Sequence, residues 1–308
     1  MTIYKYFNAD CIEILENSLI RFTQPSIFND PFECFPYLQE ITHVKHVQRV
    51  REYLNRHKCS DAEKEGMFLA SWKEEHEKHP ELNVPYEEFR EFLKFKMDAI
   101  ASLIGDLKKG HASVDFPSFR RKVVQVMMQI INRLGILCLT EKMDNLLLWA
   151  HYSSNHTGFV IELDEKHSFF GQGRELGSLK KVRYSTTRPE VTMLDPTLSD
   201  IELLYKWIED IFCVKSKHWE YEQEWRMVVP LRGCQSVIAS QQGDIYLFEL
   251  PKSCITGIIL GCRMSGQNKE RILNALRNDE GYNHVSLRQA EMDEKEFRLS
   301  ITDISLTA

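Results

Sequence analysis

Short runs in which apolar and polar residues alternate open the chain. Ile3-Tyr4-Lys5-Tyr6-Phe7 is rich in β-branched and aromatic residues and predicts a strand, and Leu19-Ile20-Arg21-Phe22-Thr23 predicts a second. Gln24-Pro25-Ser26 and Asn29-Asp30-Pro31 follow with turn chemistry. From about residue 41 to 133 the pattern changes to charged and apolar mixtures at helical spacing, as in Glu87 to Phe95 and Phe119 to Val124. This stretch is expected to be a helical insertion, with Lys73 to Pro80 as a solvated connector or helix end.

Beyond the insertion, Gly135 to Thr140 predicts a buried strand, Asp144 is expected to cap a short helix over Asn145 to Tyr152, and Gly158 to Leu163 predicts the next strand. Ser199 to Val214 predicts a helix whose apolar face holds Ile201, Leu204, Ile208 and Ile211. Strands are expected at Trp225 to Val229, Ile245 to Leu250, Ile255 to Leu260, Val285 to Arg288 and Phe297 to Ile301, with a helix near Lys269 to Arg277. Strands at both ends of a helical block argue for one α+β domain over residues 1–308 carrying the insertion, rather than alternating β and α units. Neither G-x-G-x-x-G nor G-x-x-x-x-G-K-[ST] occurs, which disfavours a Rossmann fold and a P-loop.

Composition narrows the class. At 308 residues with 43% hydrophobic side chains, a chain of this size buries roughly 75% of its unfolded surface and needs no staples. Lys plus Arg at 39 against Asp plus Glu at 45 gives a net charge of −6, so net charge does not indicate nucleic-acid contact, which is left to a local patch. The eight cysteines form no C-x-x-C pair, which disfavours a structural zinc site. The N-terminus lacks the pattern of an export signal, so a cytoplasmic protein with reduced thiols is expected, and the apolar runs are too short to span a membrane.

The densest chemistry lies at Trp219-Glu220-Tyr221-Glu222-Gln223-Glu224-Trp225-Arg226. If Glu222 to Val229 is extended, a period of two puts Glu222, Glu224 and Arg226 on one face, where the guanidinium offsets the cost of burying two carboxylates. For a bare E-x-E-x-R the plainer reading is a salt-bridge row on a solvent face.

Four groups of residues give this segment a context: Tyr4-Lys5-Tyr6; Phe28-Asn29-Asp30-Pro31-Phe32-Glu33; Trp149-Ala150-His151-Tyr152 with His156-Thr157-Gly158-Phe159; and Lys217 to Arg226. In this order they resemble the bacterial domain of unknown function 2971, over most of the chain. The resemblance implies a bacterial or phage-associated cytoplasmic protein and hints at phage defence. More distantly, the order of pieces resembles that of ADP-ribosyltransferases: a first strand with a polar anchor, a strand ending in a hydroxyl residue before a helix, and an E-x-E ahead of a late strand. Lys5 or Tyr6, Leu139-Thr140-Glu141 and Glu222-Gln223-Glu224 take those places, although an S-T-S triplet is missing and the anchor is not a clear Arg or His.

That resemblance implies an ADP-ribosyltransferase-like mixed β core and NAD as a substrate, passed to an unknown acceptor or hydrolysed, with no metal expected. Glu224 would stabilise the ribosyl cation and Glu222 would assist the acceptor. Trp149, Tyr152 or Trp219 would stack on a flat ring, while Lys5, Arg21, Lys217 or Arg226 would meet the pyrophosphate, with Tyr6 and Thr140 beside them. Asn29, Asp30, His156 and Lys217 would complete the pocket wall.

Plainer readings stand beside these. Asn29-Asp30-Pro31 reads first as an Asx turn, Trp149 and Tyr152 share one helix face as core residues do, and the H-x-x-H pairs His43/His46 and His76/His79 lack a metal site's partners. Two other functions compete. One is a non-catalytic interaction or sensor module using an aromatic surface over residues 207–225. The other is a Mg-dependent nuclease built on Glu162-Leu163-Asp164-Glu165-Lys166, with Asp30 as a further carboxylate. A concave site with Glu224 at its floor favours an enzyme; a flat aromatic patch favours the module.

Overall fold

The computed structural model describes residues 2–38, 60–80, 82, 84–108, 121, 124–125, 127–129, 131–171, 176–192, 195, 197–241 and 243–305. The chain begins with β1 (Thr2–Phe7), α1 (Glu13–Asn17), β2 (Leu19–Phe22) and β3 (Tyr37–Leu38), followed by two long helices, α2 (Asp61–Lys78) and α3 (Tyr86–Lys108). Next come β4 (Leu134–Thr140), α4 (Leu146–Tyr152), β5 (Phe159–Asp164), β6 (Leu179–Lys181), β7 (Arg183–Ser185) and β8 (Glu190–Val191). The remainder is α5 (Asp200–Phe212), β9 (Val214–Ser216), β10 (Glu224–Pro230), β11 (Ser236–Ile238), β12 (Ile245–Glu249), β13 (Ile255–Leu260), α6 (Gly266–Arg277), β14 (Ser286–Met292) and β15 (Leu299–Asp303). This is a mixed α+β architecture.

Eight strands form one sheet in the order β15-β14-β13-β5-β1-β4-β10-β6. The β13–β14 pair is parallel, joined through α6, and the other pairs are antiparallel. β1 pairs with β5 along its whole length, and β4 with β10 likewise, from Glu224 opposite Thr140 to Pro230 opposite Leu134. Between β1 and β4 there is a single pair, Tyr4 opposite Thr140. Past it the sheet parts, and Ile136 of β4 exchanges backbone hydrogen bonds with Thr23 instead, at 2.9 and 3.0 Å.

The sheet is covered on both sides. One core packs Ile3, Leu137, Ile161 and Ile258 against Ile272 of α6 and Tyr282. On the other side Tyr6, Val160 and Ile259 pack against Leu148 and Trp149 of α4. A further cluster joins α3 to α5, where Trp207 lies between Phe92 and Phe95 at ring distances of 5.2 and 5.9 Å. Glycine is required where α4 returns to β5, because a β-carbon on Gly158 would overlap the Phe7 carbonyl oxygen. Among the described residues no helix is long and apolar enough to cross a membrane.

Several boundaries differ from the sequence expectation. Asn145, not Asp144, caps α4, its Oδ1 accepting from the Leu147 and Leu148 amides at 2.9 and 3.3 Å. The expected helix to Val214 stops at Phe212, and Val214 opens β9. The last strand begins at Leu299, with Phe297 fully exposed in the turn before it. Lys73 to Pro80 is a helix end, α2 running to Lys78. The His43/His46 pair and most of Phe119 to Val124 lie outside the described residues.

Candidate functional site

Where β1 and β4 part, a cavity of about 360 Å³ opens. Tyr4, Lys5 and Tyr6 of β1 form one wall, and Cys138, Leu139 and Thr140 of β4 form the opposite one. Phe28, Asn29 and Glu33 of the loop after β2, with Leu148 and Tyr152 of α4, enclose it, and Lys215, Glu222 and Glu224 complete the lining. The parting leaves the Cys138 carbonyl without a neighbouring strand, and Lys5 Nζ donates to it at 2.8 Å.

Five charged side chains share this end of the sheet, and each is almost fully buried: Glu33, Lys215, Glu222, Glu224 and Arg226. Lys215 Nζ donates to Glu222 Oε2 at 2.6 Å and to Glu224 Oε2 at 3.0 Å, and stands 3.8 Å from Glu33 Oε2. Arg226 donates from Nε to Glu224 Oε1 at 2.8 Å, from one terminal nitrogen to Glu224 Oε2 at 3.0 Å and Glu33, and from the other to the Phe212 carbonyl at 2.7 Å. Buried charges persist only when paired in this manner.

The arrangement sets the protonation states. Burial by itself would raise the Glu224 carboxyl, but Arg226 and Lys215 outweigh it and hold the group down to about 2. Glu33 goes the other way: burial pushes it up more than Arg226 and Lys215 pull it down. Burial works against the Lys215 ammonium, yet Glu224 and Glu33 raise it above the ordinary lysine range. Burial and Glu222 raise the Tyr152 phenol, which stays neutral and donates to Glu222 Oε1 at 2.8 Å.

Glu222 and Glu224 do not share a strand face as a period of two implies. Lys217–Glu222 is a 3₁₀ turn, Gln223 is left-handed at φ 44°, and β10 begins only at Glu224. The turn is anchored from outside itself: Thr140 Oγ1 donates to the Glu222 carbonyl and Asn145 Nδ2 donates to the Tyr221 carbonyl at 3.1 Å. The two carboxylates therefore converge on Lys215 through the turn.

Of the residues singled out from the sequence, Lys5, Tyr6, Asn29, Thr140, Tyr152, Glu222 and Glu224 line the cavity. Arg21, Asp30, Trp149, His156, Lys217, Trp219 and Arg226 lie outside its lining. Trp149 is wholly buried, edge-on to Tyr6, with its indole N–H on the Met143 carbonyl at 2.8 Å, so it is a core residue. His156 stacks on Trp149, and Lys217 is exposed. Arg226 has no exposed surface for a pyrophosphate. Asp30 makes the Asx turn, accepting from the Phe32 amide at 2.9 Å, and also holds the Trp219 indole at 2.8 Å.

The tryptophans of residues 207–225 do not make a flat exposed surface: Trp207 is buried, and Trp225 and Trp219 are half-buried. In the acidic segment after β5, Glu162 is paired with Arg288, and Asp164 accepts from the Lys166 amide at 3.0 Å to close a turn.

Three members of the site escape the sequence reading. Glu33 ends the Asn29-Asp30-Pro31-Phe32-Glu33 motif, and its carboxyl only acquires meaning opposite Arg226. Lys215 sits in a three-residue strand with no periodic signal, and Tyr184, whose hydroxyl accepts from the Glu224 amide at 2.8 Å, lies in another.

A family model described as a protein of unknown function (DUF2971) matches residues 148–227. No curated protein and no solved structure matches the chain. Tyr152, Tyr184, Lys215, Glu222, Glu224 and Arg226 all fall inside the matched segment, which therefore holds most of the network around Glu224. Residues 148–227 are thus similar to the DUF2971 family, the one that Trp149 to Tyr152 and Lys217 to Arg226 resemble.

Proposed function

We propose that the cavity is an active site that cleaves the nicotinamide–ribose bond of NAD and passes the ADP-ribosyl group to an acceptor. The observation that carries this reading is Glu224, a carboxylate held ionised at the wall of a cavity by two buried cations. In the reaction the bond between the ribose C1′ and the pyridinium nitrogen breaks, its electron pair leaves with nicotinamide, and positive charge develops on the sugar. A fixed carboxylate stabilises that charge without reorganising. The acceptor then bonds to C1′ and passes its proton to Glu222, a second carboxylate of the cavity.

Tyr4, Thr140 and Glu224 are paired in one row across β1, β4 and β10, which brings the strand that carries Lys5 and Tyr6 to the same end of the sheet as Thr140 and Glu224 and supports the reading. The cavity volume lies in the range of small-molecule sites, and Tyr4, Tyr6 and Phe28 offer ring surfaces for a flat base. Lys5 spends one N–H on the Cys138 carbonyl and keeps two for anionic oxygens. Glu222 accepts from Tyr152 and Lys215, one on each oxygen, which fixes its orientation in the same cavity.

Nicotinamide release from NAD, followed by chromatography with and without bacterial lysate, tests the reading on the parent and Glu224→Gln. Release that falls by at least ~100-fold in the variant supports it. No release by the parent in either condition, together with no detectable NAD binding, refutes it.

A further inference from the structure

We infer that Tyr184 and Lys215 are positioning residues for Glu224, delivered as a pair by the two-stranded ribbon of β7 and β9. The inference rests on the reading that Glu224 is the working carboxylate. The two strands run parallel with Tyr184 directly opposite Lys215. They hold Glu224 at two separate points: the Tyr184 hydroxyl accepts from its amide at 2.8 Å, and Lys215 Nζ grips its Oε2 at 3.0 Å. Arg226, the other cation on Glu224, belongs to the same strand as the carboxylate two residues away, so it moves with β10. Beside the β4 ladder, the ribbon ties Glu224 to a second element outside its own strand.

That tie matters because Glu224 is the first residue of β10, directly after a left-handed Gln223, where a strand end frays most easily. Two contacts from one rigid pair fix both the origin and the tip of the side chain. Lys215 at the same time ties Glu224 to Glu222, so the end of the 3₁₀ turn and the start of the strand are held as one unit. The ribbon is closed internally by the Arg183 amide on the Cys213 carbonyl at 2.8 Å and joined to the site by the Val182 amide on the Glu224 carbonyl at 2.9 Å.

The test uses the full chain with Tyr184→Phe, Lys215→Met and Lys215→Arg. Tyr184→Phe removes one oxygen, leaves the Glu224 amide without that acceptor and is expected to fold with a melting temperature a few degrees below the parent's, lowering kcat for nicotinamide release by about tenfold with KM within a factor of two; tenfold corresponds to about 1.4 kcal/mol. Lys215→Met is expected to raise the titration of the Glu224 carboxyl, followed by carboxyl carbon NMR, by at least one pH unit and to carry the acid limb of the rate profile with it, while Lys215→Arg restores most of both. Parent kcat in Tyr184→Phe, or an unmoved Glu224 titration in Lys215→Met, overturns the inference. If the parent releases no nicotinamide, the proposed reaction has failed, and the carboxyl titration alone then decides the positioning role. If Lys215→Met does not fold, kcat in Tyr184→Phe decides it: a tenfold loss supports the inference and the parent's value overturns it.

Discussion

Replacing Glu224 with Gln isolates the part of folding stability that depends on its ionisation. An unfolded glutamate titrates near 4.3, whereas the folded carboxyl is held down to about 2 by Arg226 and Lys215. The unfolded chain therefore binds the extra proton between those values, and stability rises with pH across that window. A shift of about two units is worth about 3 kcal/mol, fully present above pH 5, falling to about half near pH 3 and lost below 2. Glutamine keeps the shape and one acceptor but cannot ionise, so the variant lacks this contribution at every pH. Urea unfolding followed by tryptophan fluorescence at pH 7, 5, 4 and 3 should give a gap between parent and variant that is largest at pH 7 and narrows toward pH 3. Glu33 titrates in the opposite sense, because its folded value is raised and its stabilisation is lost as pH rises; Glu224 is one of the groups that raise it, so the variant relieves part of that loss and the gap at pH 7 is somewhat smaller than Glu224 alone would give. A gap that stays constant from pH 7 to 3 would refute the assignment of Glu224 as the carboxylate held ionised by the two cations.

Two further expectations test the frame around the site. Asn145→Ala removes the side-chain acceptor for two amides at the start of α4 and should cost about 1 kcal/mol in urea unfolding. Lys5→Met leaves the Cys138 carbonyl without its donor in the parted sheet and should cost roughly 1–3 kcal/mol, a loss that Lys5→Arg recovers in part.

Where local pattern and burial agree, the sequence is readable. Residues 135–164 show this: the apolar run before Thr140, the helix after Asn145 and the β-branched run from Phe159 are all present within a residue or two. The helix beginning at Asp200 is equally plain, with Ile201, Leu204, Ile208 and Ile211 all buried. Strands of two or three residues, such as Glu190–Val191 and Val214–Ser216, give no periodic signal, and Lys215 and Tyr184 are lost with them. The turn from α4 to β5 is also hidden, because Ser154, Asn155 and His156 are all left-handed without a glycine among them. In the site, the acidic residues are legible as a cluster, but their geometry is not. An extended E-x-E-x-R predicts one face of a strand, whereas tertiary hydrogen bonds from Thr140 and Asn145 hold Glu222 in a turn. Trp149 and Arg226 suit a ligand by their aromatic and cationic types, and burial gives both to the protein's own interior.

A sheet joined at its middle by one residue pair is two smaller sheets sharing a seam. On one side β1 runs with β5, β13, β14 and β15; on the other β4 runs with β10 and β6. Ladder hydrogen bonds make each side a cooperative unit, while the seam is held by Tyr4 opposite Thr140, the Lys5 ammonium, the packing of α4 and the core that joins Ile3 to Leu137. A rotation of one half against the other would change the width of the cavity while leaving the ladders within each half whole. Whatever fills the cavity touches both halves at once and so bridges the seam.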